Sequence, residues 1–186
     1  MQLDKDSGLL IGVRCLPSPN YNQRPPGTSV SAVIIHSITL PKTAIGSSAI
    51  DQLFCNCIDP ASYPFFKDCV DIRVSAHLLI NRVGELTQYV SFNHRAWHAG
   101  VSCLEGRSNC NDFSIGIELE ALAEKEYTNQ QYVNLVDTIV LLQQAYPAIT
   151  LQRIVGHADI APDRKTDPGA LFDWSYLHQL MRIRLP

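Results

Sequence analysis

Apolar residues repeat along this chain with two periods, and each period marks a different kind of element. Residues 31–38, Ser-Ala-Val-Ile-Ile-His-Ser-Ile, are rich in β-branched side chains. They read as a buried strand, with Leu40 and Pro41 ending it. Residues 114–120 alternate strictly, so Ile115, Ile117 and Leu119 share one face and Ser114, Gly116, Glu118 and Glu120 the other. Val74 to Ile80 and Glu85 to Val90 flank a turn that ends in Gly84 and read as a hairpin. Short strands are expected over Arg95–His98 and Arg153–Gly156.

The helical period begins after Thr128. Thr128 and Gln131 have the spacing of a capping box, and Tyr132, Leu135, Val136, Ile139 and Val140 then fall on one face before Pro147. A final helix is expected over Asp173–Arg182, with Trp174, Leu177, Leu180 and Met181 inward. Ser47 to Cys57 has room for a short helix. Residues 16–28 hold four prolines, which exclude a helix or central strand, so residues 1–30 read as a wrapping arm. Residues 42–71 lack periodicity and carry Asp59-Pro60 and Pro64-Phe65-Phe66. An excursion of that length in a compact domain is usually functional or mobile, and either a lid over the site or a fixed wrapping loop is expected. Cys103 to Asn111 reads as a polar loop. No repeat or linker divides the chain, so the pattern predicts one α/β domain over residues 1–186, a central mixed β-sheet flanked by helices.

Composition narrows the possible partners. The chain has 186 residues, with 15 Lys and Arg against 18 Asp and Glu. A net charge of -3 and a pI near 6.0 leave no domain-wide basic footprint for nucleic acid. No apolar run reaches the roughly 18 residues of a membrane span. The start, Met1 to Asp6, carries two acids and no apolar stretch, unlike a secretory signal, so a cytoplasmic monomer is expected. The six cysteines then read as reduced and structural. Cys55 and Cys57 leave one residue between them, where zinc loops usually leave two to four.

Three segments carry candidate chemistry: His36 at the end of its strand, Glu118 on a polar face, and the loop from Gly156 to Gly169 with His157, Lys165 and Asp167. Lys165 and Asp167 are two apart and point the same way in extended backbone. Taken singly, each has a bland reading as a core histidine, a solvated glutamate or a surface turn. Spacing alone does not join them.

The motifs are more specific than the single residues. Asn93-His-Arg-Ala-Trp97-His98-Ala-Gly100, Cys110 through Glu120, and Gly156-His157-x-Asp-Ile-Ala-Pro-Asp-Arg-Lys165-Thr-Asp167-Pro-Gly resemble the zinc amidases of peptidoglycan. That fold is shared with peptidoglycan recognition proteins. Pro17-Ser-Pro-x-Tyr21, Pro64-Phe-Phe and Arg73-Val-Ser-Ala-His77 narrow the likeness to members that act on 1,6-anhydro-muramyl peptides.

The resemblance implies one zinc held by His36, His157 and Asp167, with Glu118 as acid–base group and Lys165 stabilising developing negative charge. It implies hydrolysis of the amide between the lactyl group and L-alanine in cell-wall recycling, with a link to β-lactamase induction. Ser37, Arg73, Trp97, His98 and Arg107 are the implied substrate contacts, His98 as a pocket wall and the arginines on stem-peptide carboxylates. His77, His94 and His178 are left as structural or surface residues. Ser37 stands where the family usually has Asn, and Asn109 where close members have a second Arg. Both changes are expected to loosen the hold on the substrate.

Overall fold

The computed structural model describes residues 1–184. In chain order its strands are β1 (Gln2–Asp4), β2 (Leu9–Ile11), β3 (Arg14–Cys15), β4 (Tyr21–Gln23), β5 (Ala32–Leu40), β6 (Leu78–Ile80), β7 (Leu86–Gln88), β8 (His94–Ala96), β9 (Cys103–Leu104), β10 (Arg107–Ser108), β11 (Ser114–Leu122) and β12 (Ile154–Gly156). The helices are α1 (Ala49–Phe54), α2 (Asn129–Ala145), α3 (His157–Ile160) and α4 (Trp174–Arg184). Six strands form one mixed sheet in the order β12-β5-β11-β6-β7-β3. β12, β5, β11 and β6 run parallel, and β7 returns antiparallel to β6 through the expected turn.

The sheet is covered on both faces, as parallel strands usually are. On one face Val33, Ile35, Ile115, Ile117 and Leu119 pack against Leu135, Val136 and Ile139 of α2 and Leu177 and Met181 of α4. The capping box starts α2 as its spacing predicts: Gln131 N donates to Thr128 Oγ1 at 3.2 Å, and Thr128 N donates to Gln131 Oε1 at 3.1 Å. The other face carries two smaller cores. One gathers Leu40, Leu53, Phe54, Phe66 and Leu79, and the other Ala32, Ile34, Ala99, Phe113 and Ile160. The polar row of β11 runs between them. It is therefore enclosed, with Ser114 and Glu120 fully buried. Glu120 accepts from Gly46 N at 2.8 Å and Arg82 N at 2.9 Å.

Several expected boundaries shift. The first strand continues to Leu40 because residues 37–40 pair with Leu119–Leu122. Val74 to His77 is irregular, since Ser75 N and His77 N donate to Trp97 O and Gly116 O outside a continuous ladder. The arm is not wholly irregular, because prolines remove donors only at their own positions. Tyr21–Gln23 pairs with His94–Ala96. The half-buried Arg24 guanidinium reaches the carbonyls of Phe92, Asn111, Asp112 and Ser114. The loop of residues 103–111 holds the small β9–β10 hairpin. Trp174 and Leu180 pack against the main core as expected but stay half-buried.

The excursion of residues 42–71 contains α1 and a 3-10 turn over Pro64–Cys69. Phe66 is buried, whereas Phe65 is exposed. Its second half, from Asn56 to Val74, is clasped by the arm. The buried Asn20 Nδ2 lies 2.7 Å from Val74 O, 2.8 Å from Asn56 Oδ1 and 3.3 Å from Phe54 O.

Candidate active site

Strand register assembles the site. In the parallel β5–β11 pair, Glu118 lies opposite His36. In the β12–β5 pair, Gly156 lies opposite Ile35, so the next residue, His157, comes level with His36. Three residues far apart in sequence thus stand side by side, His36 and Glu118 on neighbouring strands and His157 just past the end of a third. His36 is in the middle of β5, not at its end. The opening beside it arises because β12 stops at Gly156 and the chain turns into α3.

The loop after α3 supplies the remaining groups. Ala158 N donates to Asp167 O at 2.9 Å, and Tyr127 OH donates to Pro168 O at 2.8 Å. A Cβ on Gly156 would meet Pro168 Cδ at 2.7 Å, so only glycine lets this loop approach β12 so closely. The result is a cleft of about 170 Å³ that His36, His98, Glu118, His157, Lys165 and Asp167 help to line. A larger hollow of about 770 Å³ lies between Tyr127, Tyr132 and the segment of residues 170–176. It lacks the donor cluster, so chemistry rather than size locates the site.

The ligand atoms of His36, His157 and Asp167 all lie within 4.8 Å of one another. His36 Nδ1 is 3.0 Å from His157 Nδ1, and each is 3.2 Å from Asp167 Oδ2. Acceptors this close repel unless a proton or cation lies among them. Two imidazoles and one carboxylate suit zinc and leave one of four tetrahedral positions open. The electrostatics fit the same group. Burial pushes His36 down to about 4, which keeps it neutral and able to coordinate. Burial works to raise Asp167, but its contacts with the ring nitrogens of His157 and His36 prevail and hold it well below the usual carboxylate range. Burial, reinforced by the charge of Asp167 and opposed by Lys165, lifts Glu118 to about 8. Its Oε2 is buried without a hydrogen-bond partner.

The other expected residues are placed less uniformly. Ser37 helps line the rim, but its side chain is against the Tyr127 hydroxyl, on the far side of the strand from His36. The Arg73 guanidinium turns back to Val70 O and Ile72 O. Arg107 is exposed and stacks 3.8 Å over the Phe113 ring. Trp97 Nε1 donates to Asn22 Oδ1 at 2.8 Å. His98 lies edge-on against His36, with ring centroids 5.0 Å apart. Asn109 adopts a left-handed conformation with φ 59°, which Asn tolerates better than Arg. Sequence reasoning missed Tyr127 and Gly156. The pre-proline loop gave no sign of which neighbours would hold it.

Comparison with known proteins agrees with this geometry. The 1,6-anhydro-N-acetylmuramyl-L-alanine amidase AmpD of Escherichia coli is 49% identical over 176 residues, which cover 95% of this chain and 96% of the relative. The enzyme of the same name from Haemophilus influenzae is 48% identical over 171 residues, covering 92% and 93%. A crystal structure of a selenomethionine AmpD derivative superposes with a TM-score of 0.90 at 48% identity, covering 97% of this chain and 99% of that one. The family model described as N-acetylmuramoyl-L-alanine amidase matches residues 26–170, and the chain belongs to that family of amidases.

Proposed function

We propose that this amidase cleaves the bond between the lactyl group of 1,6-anhydro-N-acetylmuramic acid and L-alanine, as a zinc-dependent step of cell-wall recycling. The observation that carries the reading is the donor set of His36, His157 and Asp167 beside the unpartnered Glu118 carboxyl. The names of the relatives supply the substrate class. Zinc in that position would supply a Lewis acid and lower the pKa of a water toward about 7.

Glu118 takes the proton that the attacking water gives up. A group that burial holds near neutrality can take a proton and also return it. Attack forms a carbon–oxygen bond at the lactyl carbonyl, and Lys165 stabilises the charge that develops on the carbonyl oxygen. Glu118 then delivers its proton to the L-alanine nitrogen as the carbon–nitrogen bond breaks. The products are a lactyl carboxylate and a free peptide amine. Cleavage destroys the intact anhydro-muropeptide, and this supports the link to β-lactamase induction that the resemblance implies.

In this reading His98, which lines the cleft, and Trp97 and Arg107 serve as substrate contacts. Arg73 reaches the peptide stem once it leaves its own loop carbonyls. All five chemical groups come from one chain, which supports a monomer. The six free thiols, of which Cys15, Cys57 and Cys103 are exposed, support a reducing compartment such as the cytoplasm. Among the described residues, no helix is long and apolar enough to cross a membrane.

Incubation with anhydro-muramyl-tripeptide and with intact sacculus, with and without a chelator, tests the proposal. Mass spectrometry should show free tripeptide from the soluble substrate only, and none once metal is removed. Release from sacculus at a comparable rate would move the target to the intact wall.

A further inference from the structure

The hydrogen bonds behind the two histidines have a direction, and it can be fixed from their far ends. A carbonyl oxygen can only accept. The Ser114 hydroxyl therefore gives its single proton to Cys110 O, 2.5 Å away. Its oxygen is then left to accept from His98 Nε2, at 3.3 Å. With the His98 proton on Nε2, Nδ1 is an acceptor, and it lies 2.9 Å from His36 Nε2. His36 must carry its own proton on Nε2. Its Nδ1 lone pair then faces the donor cluster.

His157 is set in the same way by the next residue. Its Nε2 lies 3.1 Å from Ala99 O, so it donates there and leaves Nδ1 free. The backbone of both residues is anchored at one point. The buried Asn111 Oδ1 accepts from His98 N at 3.1 Å and from Ala99 N at 2.7 Å. The sheet has also made room for the His98 ring. A Cβ on Gly116 would meet His98 Cγ at 2.5 Å and Nδ1 at 2.6 Å. Glycine therefore interrupts the polar row of β11 at the place where the ring must lie.

We propose that the His98–Ala99 dipeptide, held by Asn111 and seated over Gly116, is a tautomer-setting element for the metal site. His98 is then a positioning residue for His36, in addition to any contact with substrate. The proposal rests on the zinc reading above, because it concerns the tautomer in which His36 and His157 ligate through Nδ1. Outer groups of this kind orient a ligand and raise its basicity, and their loss typically costs about 10- to 100-fold in metal affinity.

The test is zinc affinity, measured against a chromophoric chelator for the unmodified protein, His98→Leu and His98→Asn. Asn places an oxygen near the position of Nδ1 and can still accept from His36; Leu cannot. His98→Leu should weaken zinc binding by about 10- to 100-fold, and His98→Asn should restore most of it. A wild-type affinity for His98→Leu, with only KM changed, would make His98 a substrate contact and overturn the proposal. Failure of the unmodified protein to bind zinc would instead overturn the metal reading. Nitrogen-15 NMR of the zinc-loaded unmodified protein gives a readout that needs no variant. It should show coupling across the hydrogen bond from His36 Nε2 to His98 Nδ1, and a His98 proton on Nδ1 would refute the assignment.

Discussion

Replacing Glu118 by Gln should flatten the pH dependence of stability in the metal-free protein. In the folded chain burial lifts this carboxyl from an ordinary 4.5 to about 8. Between those values the unfolded chain releases the proton and the folded chain keeps it. The folded state therefore binds more protons, and stability falls as pH rises. The contribution is complete below pH 4.5 and lost by the time pH passes 8. At about 1.4 kcal/mol per pH unit, the ceiling is about 5 kcal/mol. Water entering the open cleft screens much of this, so a loss of about 1–3 kcal/mol is expected.

Gln has nearly the same shape and no proton to lose. Urea unfolding with chelator present, from pH 4 to pH 9, should show the two proteins converging at low pH in their difference from one another. By pH 9 the unmodified protein should have lost about 1 M in midpoint relative to Glu118→Gln, for an m-value of about 2 kcal/mol/M. Zinc should shrink the effect, because a nearby cation favours the carboxylate. Parallel curves across the whole range would refute the claim that Glu118 is held protonated by its surroundings. The same substitution should retain zinc yet slow hydrolysis by about 10²- to 10⁴-fold, as removal of an acid–base group does.

Elemental analysis of the purified protein should find about one zinc per chain, with most of it lost in His157→Ala; full retention in both His157→Ala and His36→Ala would remove these ligands from the site. Arg107→Ala should raise KM more than it lowers kcat, since a bidentate hold on a carboxylate acts on binding. An unchanged KM would leave Arg107 as a stacking partner of Phe113 only. Hydrogen exchange with and without a product-like muropeptide should show residues 42–71 gaining protection on binding if they close over the cleft, whereas a segment already protected would be scaffold.

The elements were legible where a period was strong. The strict alternation of residues 114–120 and the capping box at Thr128 both appear in the structure as read. Alternation could not show that the polar face of β11 lies beneath two further cores, because that depends on what packs from elsewhere. Nor could it bring His36 and His157 together across 121 residues, since that contact is created by register between parallel strands. The motif resemblance joined them instead. It said less about the outer groups. His98 was legible only as a pocket residue, because the role of a histidine depends on what its second nitrogen touches.

Asn20 gives the excursion an unusual freedom. One buried side chain from the arm gathers Phe54 O, Asn56 and Val74 O, so both ends of the stretch 57–73 meet at a fixed point. The residues between are a loop already closed by its clasp, and its length is uncoupled from the geometry of the sheet. Closure entropy grows so slowly that doubling such a loop costs only about 0.6 kcal/mol. Insertions and deletions around residues 57–72 can therefore accumulate without disturbing His36, Glu118 or His157. That segment is free to change in length while the strand register that sets His36, Glu118 and His157 side by side stays constant.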